Sequence, residues 1–326
     1  MKQRVVSGMR PTGRLHIGHY HGVLENWVKM QDSFDCFFFV ADWHSLTTEY
    51  ADTSGIAQSI SDMVLDWVSF GLDPAKCVIF RQSLVPHHSE LNLILSMVTP
   101  VSWLERCPTY KEMQDNLETK DLSTFGFLGY PVLMAADIIL YKASRVPVGQ
   151  DQLPHLEITR EIARRFNHIY GDVFPEPEAL LTETPKLPGL DGRKMSKSYN
   201  NSIYLSDTAE ETSKKIMGMM TDPARVRRND PGEPDICVAF NLHRIYVPQE
   251  KLEEIIPACR NATIGCVECK KILVGCMNER LAPFRARREE LAANPGFVDQ
   301  LLQEGSRRAS LISDAVMAEV RTALKF

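Results

Sequence analysis

The stretch Arg4-Val5-Val6-Ser7-Gly8-Met9-Arg10-Pro11-Thr12-Gly13-Arg14-Leu15-His16-Ile17-Gly18-His19-Tyr20 decides the fold. Arg4 to Ser7 reads as a short buried strand, the glycines that follow let backbone approach a ligand, and a helix is expected to begin near Gly18. A strand running through such a loop into a helix N-terminus presents free N–H groups and the positive end of the helix dipole to an anion, as nucleotide-binding sheets do. Working outward, Asp35 to Asp42 and Val78 to Gln82 read as two further buried strands. Between them Ile56, Ile60, Met63, Val64, Trp67 and Val68 recur at helical spacing, and Gly71 followed by Pro74 supplies the stop. Alternation of strand and helix predicts an α/β fold with a doubly wound parallel sheet.

After Pro188 the pattern changes. Gly189, Asp191 and Gly192 mark a loop, and Thr208 to Met220, Gly265 to Asn294 and Phe297 to Leu324 read as helices, the last two separated by Pro295-Gly296. A boundary near residue 205 is therefore expected, with a Rossmann-like catalytic domain over 1–205 and a helical domain over 206–326. The first part carries the whole net charge of −5 and the second is neutral. The second also holds basic clusters at Arg225, Arg227 and Arg228, at Lys270 and Lys271, at Arg285, Arg287 and Arg288, and at Arg307 and Arg308. Such clusters suit phosphates, though each also reads as a solvated helix face. A composition 44% hydrophobic and 24% charged belongs to a globular protein. With no apolar leader and no run long enough to span a bilayer, a cytoplasmic protein without membrane contact is expected.

Two motifs carry chemistry. His16 and His19 lie on one side of a helix turn, where imidazole N–H groups can meet charge developing on a phosphate; alone, the pair also suits zinc or simple packing. Lys194-Met195-Ser196-Lys197-Ser198 follows the glycine-flanked loop, where two lysines can close over a triphosphate and neutralise departing pyrophosphate. Together they resemble the "HIGH" and "KMSKS" signatures of class I aminoacyl-tRNA synthetases. The likeness extends along nearly the whole chain: Tyr130 to Tyr141 and Val146 to Gln152 are similar to the amino-acid-pocket segments of tryptophanyl-tRNA synthetases. The resemblance implies activation of tryptophan with Mg2+-ATP, transfer of the adenylate to tRNA(Trp), and a homodimer. It further implies that Arg10, Pro11, Thr12, Gly18, His19, Gly149, Gln150, Asp151 and Lys194 to Ser198 hold ATP, that Leu187 touches adenine, and that Asp137 and Gln152 belong to the tryptophan pocket. Gln150 departs from the pattern, since many members carry an acidic residue there; its amide can still hydrogen-bond a ribose.

Elementary chemistry supports Asp137 separately. Indole has one N–H donor and no acceptor, so a selective pocket needs an acceptor at its base and apolar walls. Met134, one turn before Asp137, and Val146 and Val148 supply those walls. Rival readings are a tyrosyl-tRNA synthetase, a small-molecule nucleotidyltransferase or pantothenate-type ligase with a similar His-x-Gly-His loop, and a non-catalytic RNA-binding relative.

Eight cysteines without a secretion leader argue against a disulfide framework. Cys237, Cys259, Cys266 and Cys269 follow C-x21-C-x6-C-x2-C, a donor set for an iron–sulfur cluster or structural Zn2+, with unligated core cysteines the remaining reading. The pattern is similar to that of a subset of bacterial tryptophanyl-tRNA synthetases, which implies a 4Fe-4S cluster pinning an irregular Cys237 to Cys269 segment and placing Lys270 and Lys271 toward tRNA phosphates. Cys36, Cys77, Cys107 and Cys276 read as ordinary buried thiols.

Overall fold

The computed structural model describes residues 2–107, 123–181 and 187–326. The chain divides into two compact units, neither continuous in sequence: Met1–Gly13, Asn26–Glu183 and Pro295–Phe326 form the first, Arg14–Glu25 and Thr184–Asn294 the second.

The first unit is built on a parallel sheet of five strands among the described residues, β1 (Arg4–Met9), β2 (Asp35–Val40), β3 (Val78–Arg81), β4 (Arg145–Val148) and β5 (Glu178–Leu181), in the order β3-β2-β1-β4-β5. Cys36 to Val40 are all buried, as a central strand covered on both faces requires. Helix Ile56–Ser69 buries Ile60, Met63, Val64 and Trp67, and Trp67 meets Trp27 edge to face at 5.1 Å while Trp27 stacks on Phe38 at 4.5 Å. Strand order reverses between β1 and β4, so their carboxyl ends flank the crevice where sheets of this topology bind ligands.

The last helix groups with the first unit rather than with the helices that precede it. Phe297–Leu324 packs on β3 in the first unit. A Cβ on Gly305 would lie 1.7 Å from the Ile79 carbonyl oxygen, which is why this position has no side chain. Arg308 donates to the Pro74 carbonyl at 2.8 Å, and Arg321 clasps both oxygens of Glu90 at 2.8 and 2.7 Å.

The second unit contains helices Ala209–Gly218, Val238–Tyr246, Gln249–Arg260 and Cys266–Ala292. Thr208 opens the first with a capping box, its hydroxyl accepting from the Glu211 amide at 3.1 Å while Glu211 accepts from the Thr208 amide at 2.8 Å. The segment between Cys237 and Cys269, expected to be irregular, is mostly two helices.

Candidate active site

In the first unit β1 delivers Arg10, Pro11 and Thr12, and β4 delivers Gly149, Gln150, Asp151 and Gln152, at the two strand ends bordering the topological switch point. The Thr12 amide donates to the Arg10 carbonyl at 2.9 Å, folding the first loop back on itself. Asp151 is exposed, and Gln152 donates to its carboxylate at 2.9 Å. Val146 and Val148 are buried on one face of β4, and Met134 lies half-buried on helix Phe125–Ile139, three residues before Asp137.

Asp137 is only 2% exposed, and three donors converge on it. Its Oδ2 accepts from His44 Nε2 at 2.9 Å, its Oδ1 from His88 Nδ1 at 2.6 Å, and Gln82 Nε2 reaches both oxygens at 2.8 and 2.9 Å. Burial alone would push this carboxyl up, but the hydrogen bonds and charges of His44 and His88 outweigh it and hold Asp137 below the usual carboxylate value. It is therefore an ionised, acceptor-only group, buried among three polar donors. His44, Gln82 and His88 escape sequence reading because they lie on three separate segments; nothing in local spacing joins them.

In the second unit the two signature motifs come together. The Ile17 amide donates to the Ile203 carbonyl at 3.0 Å and the Leu205 amide to the Leu15 carbonyl at 2.9 Å, so the chain after the lysine loop pairs antiparallel with the histidine segment. The His16 amide donates to His19 Nδ1 at 3.1 Å, which leaves the His19 proton on Nε2 when the ring is neutral. The rings sit 3.8 Å apart, and a Cβ on Gly18 would be 2.9 Å from the His16 ring, so glycine makes room for it. Burial, then the nearby Lys197, lowers His16 to about 4; burial, then His16 and Lys197, lowers His19 to about 3. Both are neutral N–H donors at pH 7, suited to hydrogen-bonding a phosphate without carrying charge beforehand.

Of the lysine loop, Lys194 is exposed, Met195 buried, Ser196 and Lys197 half-buried, and Ser198 lies in the turn Lys197–Tyr199. Leu187 is buried beside the Pro188–Lys194 bridge. Asn201 holds this loop: its amide nitrogen donates to Asp191 at 2.7 Å and to the Lys194 carbonyl at 3.2 Å, and its oxygen accepts from the Ser196 amide at 2.9 Å. The sequence did not single out Asn201.

The four spaced cysteines also lie in the second unit. Cys237 precedes helix Val238–Tyr246, Cys259 ends Gln249–Arg260, and Cys266 and Cys269 open Cys266–Ala292. Burial, then the neighbouring Cys237, Cys259 and Cys266, pushes the Cys269 thiol up to about 12. Its sulfur is 3.2 Å from His243 Nε2, and Arg225 Nη1 is 3.9 Å from the Cys259 sulfur. Among the described residues no three His, Cys, Asp or Glu side chains converge closely enough to hold a metal ion. Cys36, Cys77 and Cys107 are buried as expected, whereas Cys276 is only half-buried.

Several basic residues are already engaged. Lys270 is 9% exposed and donates to the Met217 carbonyl at 3.0 Å and to that of Met219, so it does not face tRNA as the sequence suggested. Arg225 is equally buried and donates to the carbonyls of Arg228 and Ile264, each at 2.8 Å. Arg285 bonds Asn278 and Thr212, both at 2.8 Å. Arg287 and Arg307 pair with nearby glutamates, while Arg227, Arg228 and Lys271 are exposed.

Comparison with known proteins agrees with this geometry. Residues 1–282 match the family model of class I tRNA synthetases for tryptophan and tyrosine. The tryptophan–tRNA ligase of Thermotoga maritima is 53% identical over 98% of both chains, and that of Aquifex aeolicus 46% identical over 98% of this chain and 99% of its own. A Campylobacter jejuni tryptophanyl-tRNA synthetase, solved with ADP and tryptophan, superposes with a TM-score of 0.91 at 32% identity, covering 99% of this chain and 100% of that one. The fold is also shared by an Archaeoglobus fulgidus tyrosyl-tRNA synthetase, TM-score 0.66 at 21% identity, so the fold alone does not separate the two amino acids. Full-length sequence identity does: the chain belongs to the class I tRNA synthetases for tryptophan and tyrosine, and within them to the bacterial tryptophan–tRNA ligases, which activate tryptophan with ATP and join it to tRNA(Trp).

Proposed function

We propose that Asp137 selects tryptophan by accepting the indole N–H, with Met134, Val146, Val148 and Gln152 completing the pocket. The observation that carries this reading is a buried carboxylate held ionised by donors, since an acceptor-only group at the base of an apolar pocket is what a donor-only ring requires. Of the three donors now on Asp137, His44 is 9% exposed while Gln82 and His88 are 0% exposed. His44 is thus the donor that yields when the indole arrives. A site built around such a bond rejects analogues lacking it by about 10⁴-fold.

For ATP, the reading assigns Arg10, Pro11, Thr12, Gly18, His19, Gly149 to Asp151, Leu187 and Lys194 to Ser198, with His16, His19, Lys194 and Lys197 stabilising the transition state and Mg2+ bound with the nucleotide. Catalysis is positioning and electrostatics, with no covalent nucleophile. Tryptophan-dependent exchange of pyrophosphate into ATP tests the proposal: activity with tryptophan and little with tyrosine or phenylalanine is expected, and Asp137→Ala should raise the tryptophan KM and narrow that preference. Unchanged kinetics in the variant would remove Asp137 from the pocket.

The reading extends to a homodimer, to tRNA binding by the second unit, where Arg227 and Arg228 in a turn and Lys271 on a helix are exposed, and to a cytoplasmic location. It also includes a 4Fe-4S cluster, with structural Zn2+ as the alternative, on Cys237, Cys259, Cys266 and Cys269. Four thiols are the donor type either group takes, though their side chains do not converge here; burial and then the neighbouring cysteines raise Cys259 and Cys269, and the Arg225 guanidinium and His243 ring lie against two of the sulfurs. The group's contribution would be to tie three helix ends together. Anaerobically purified protein should be brown and lose iron on Cys266→Ser; colourless protein with stoichiometric zinc would replace iron by zinc.

A further inference from the structure

Behind Asp137 runs a line of hydrogen bonds that tryptophan binding alone does not require. His88 is 0% exposed, its ring centred 5.9 Å from that of Phe39 and 6.0 Å from that of Phe80. Its Nδ1 meets Asp137 Oδ1 at 2.6 Å and its Nε2 meets the Tyr141 hydroxyl at 2.7 Å. Tyr141 is itself fully buried and stacks on Phe37 at 5.2 Å. An aliphatic side chain would fill this space without needing two polar partners, so the imidazole points to a role beyond packing.

Donor and acceptor requirements fix the proton that faces the carboxylate. The Asp137 carboxylate only accepts, so His88 Nδ1 carries the hydrogen. Burial, reinforced by Asp137, raises Tyr141 well above the ordinary phenol value, so its hydroxyl keeps its proton and donates to Nε2. The opposite tautomer would set a lone pair against Oδ1 and leave the hydroxyl without an acceptor. With the ring neutral, the order is Tyr141 O–H to His88 Nε2, then His88 Nδ1–H to Asp137 Oδ1. Asp137 and Tyr141 are four residues apart, one on helix Phe125–Ile139 and one just past its end, so both ends of the line are set by one helix.

We propose that His88, its tautomer set by Tyr141, is a positioning residue for amino-acid specificity: it fixes the rotation of the Asp137 carboxylate so that one lone pair points at the indole N–H. The inference rests on the reading of Asp137 as the indole acceptor. His88 touches no substrate; it holds the oxygen that His44 does not, and it stays when His44 yields.

The test compares kcat/KM in pyrophosphate exchange for tryptophan and for β-(3-benzothienyl)alanine, an analogue of the same shape with sulfur in place of the indole N–H. Asp137→Ala should bring the ratio of the two close to one. His88→Leu should lower it by about tenfold or more, as loss of one charge-assisted hydrogen bond implies, through tryptophan rather than the analogue and with the ATP KM unchanged. His88→Asn, whose amide N–H stands near the place of Nδ1–H, should restore most of the ratio, and Tyr141→Phe should lower it severalfold. A folded His88→Leu protein with the wild-type ratio, or one impaired equally for both amino acids, would overturn the proposal. If His88→Leu does not fold, a wild-type ratio in Tyr141→Phe overturns it instead. Should Asp137→Ala itself leave the ratio unchanged, the indole-acceptor reading fails and this inference with it; collapse in Asp137→Ala alone defeats only the role of His88.

Discussion

At the scale of single side chains, the two motif histidines are held neutral by their surroundings. Each histidine is deprotonated in the fold and takes up protons near 6.5 when unfolded, so the unfolded chain binds more protons between about 6.5 and the folded values of about 4 and 3. Their contribution to stability is full above pH 6.5 and declines as the pH falls through that window. His19→Gln should flatten the acid limb of stability measured by urea midpoints from pH 7 to pH 4.5; an unaltered slope would mean His19 is not buried neutral. In catalysis, His16→Ala or His19→Ala should slow single-turnover adenylate formation by about 10²–10³ while barely changing tryptophan affinity. Wild-type single-turnover rates would withdraw the assignment. At this scale the sequence was informative for residues inside contiguous motifs. It was silent on His44, Gln82, His88 and Asn201, whose meaning comes from partners 93, 55, 49 and 10 residues away.

Elements were legible where apolar pattern and length agreed. β1, β2, β3 and helix Ile56–Ser69 follow from buried runs and helical periodicity. β4 was read only as pocket sequence; its Pro147 is tolerated because β4 pairs with β1 only at Val5–Arg145. β5, Glu-Ala-Leu-Leu, consists of good helix formers and carries no strand signal of its own; its pairing with β4 decides. The lysine loop shows how an element depends on one staple. Asn201→Ala removes three hydrogen bonds at once, and should slow adenylate formation about tenfold with little change in melting temperature. A comparable rate in the variant would show that the loop is ordered by other contacts. Gly305→Ala, by contrast, should destabilise by about 1–3 kcal/mol, because helix Phe297–Leu324 must retreat from the Ile79 carbonyl. Equal melting temperatures would mean that this contact is loose.

At the scale of the whole chain, the sequence located a change of pattern at residue 205 but not the return of the C-terminus to the first unit. Helical periodicity names a helix without naming the surface that its apolar face covers, and Ala309, Val316, Met317 and Val320 prove to join the core that covers the sheet. Deleting 297–326 should therefore abolish cooperative unfolding of the first unit and tryptophan-dependent exchange together. Retained exchange in that deletion would place the helix outside the catalytic fold. The claim on which everything else depends is that Asp137 reads the indole. It is tested most directly by the structure of the protein with tryptophan bound: the account predicts the indole nitrogen within hydrogen-bonding distance of an Asp137 carboxylate oxygen, about 3 Å, with His88 still on the other oxygen and His44 released. An indole nitrogen facing a different acceptor, with His44, Gln82 and His88 all still on Asp137, would contradict it.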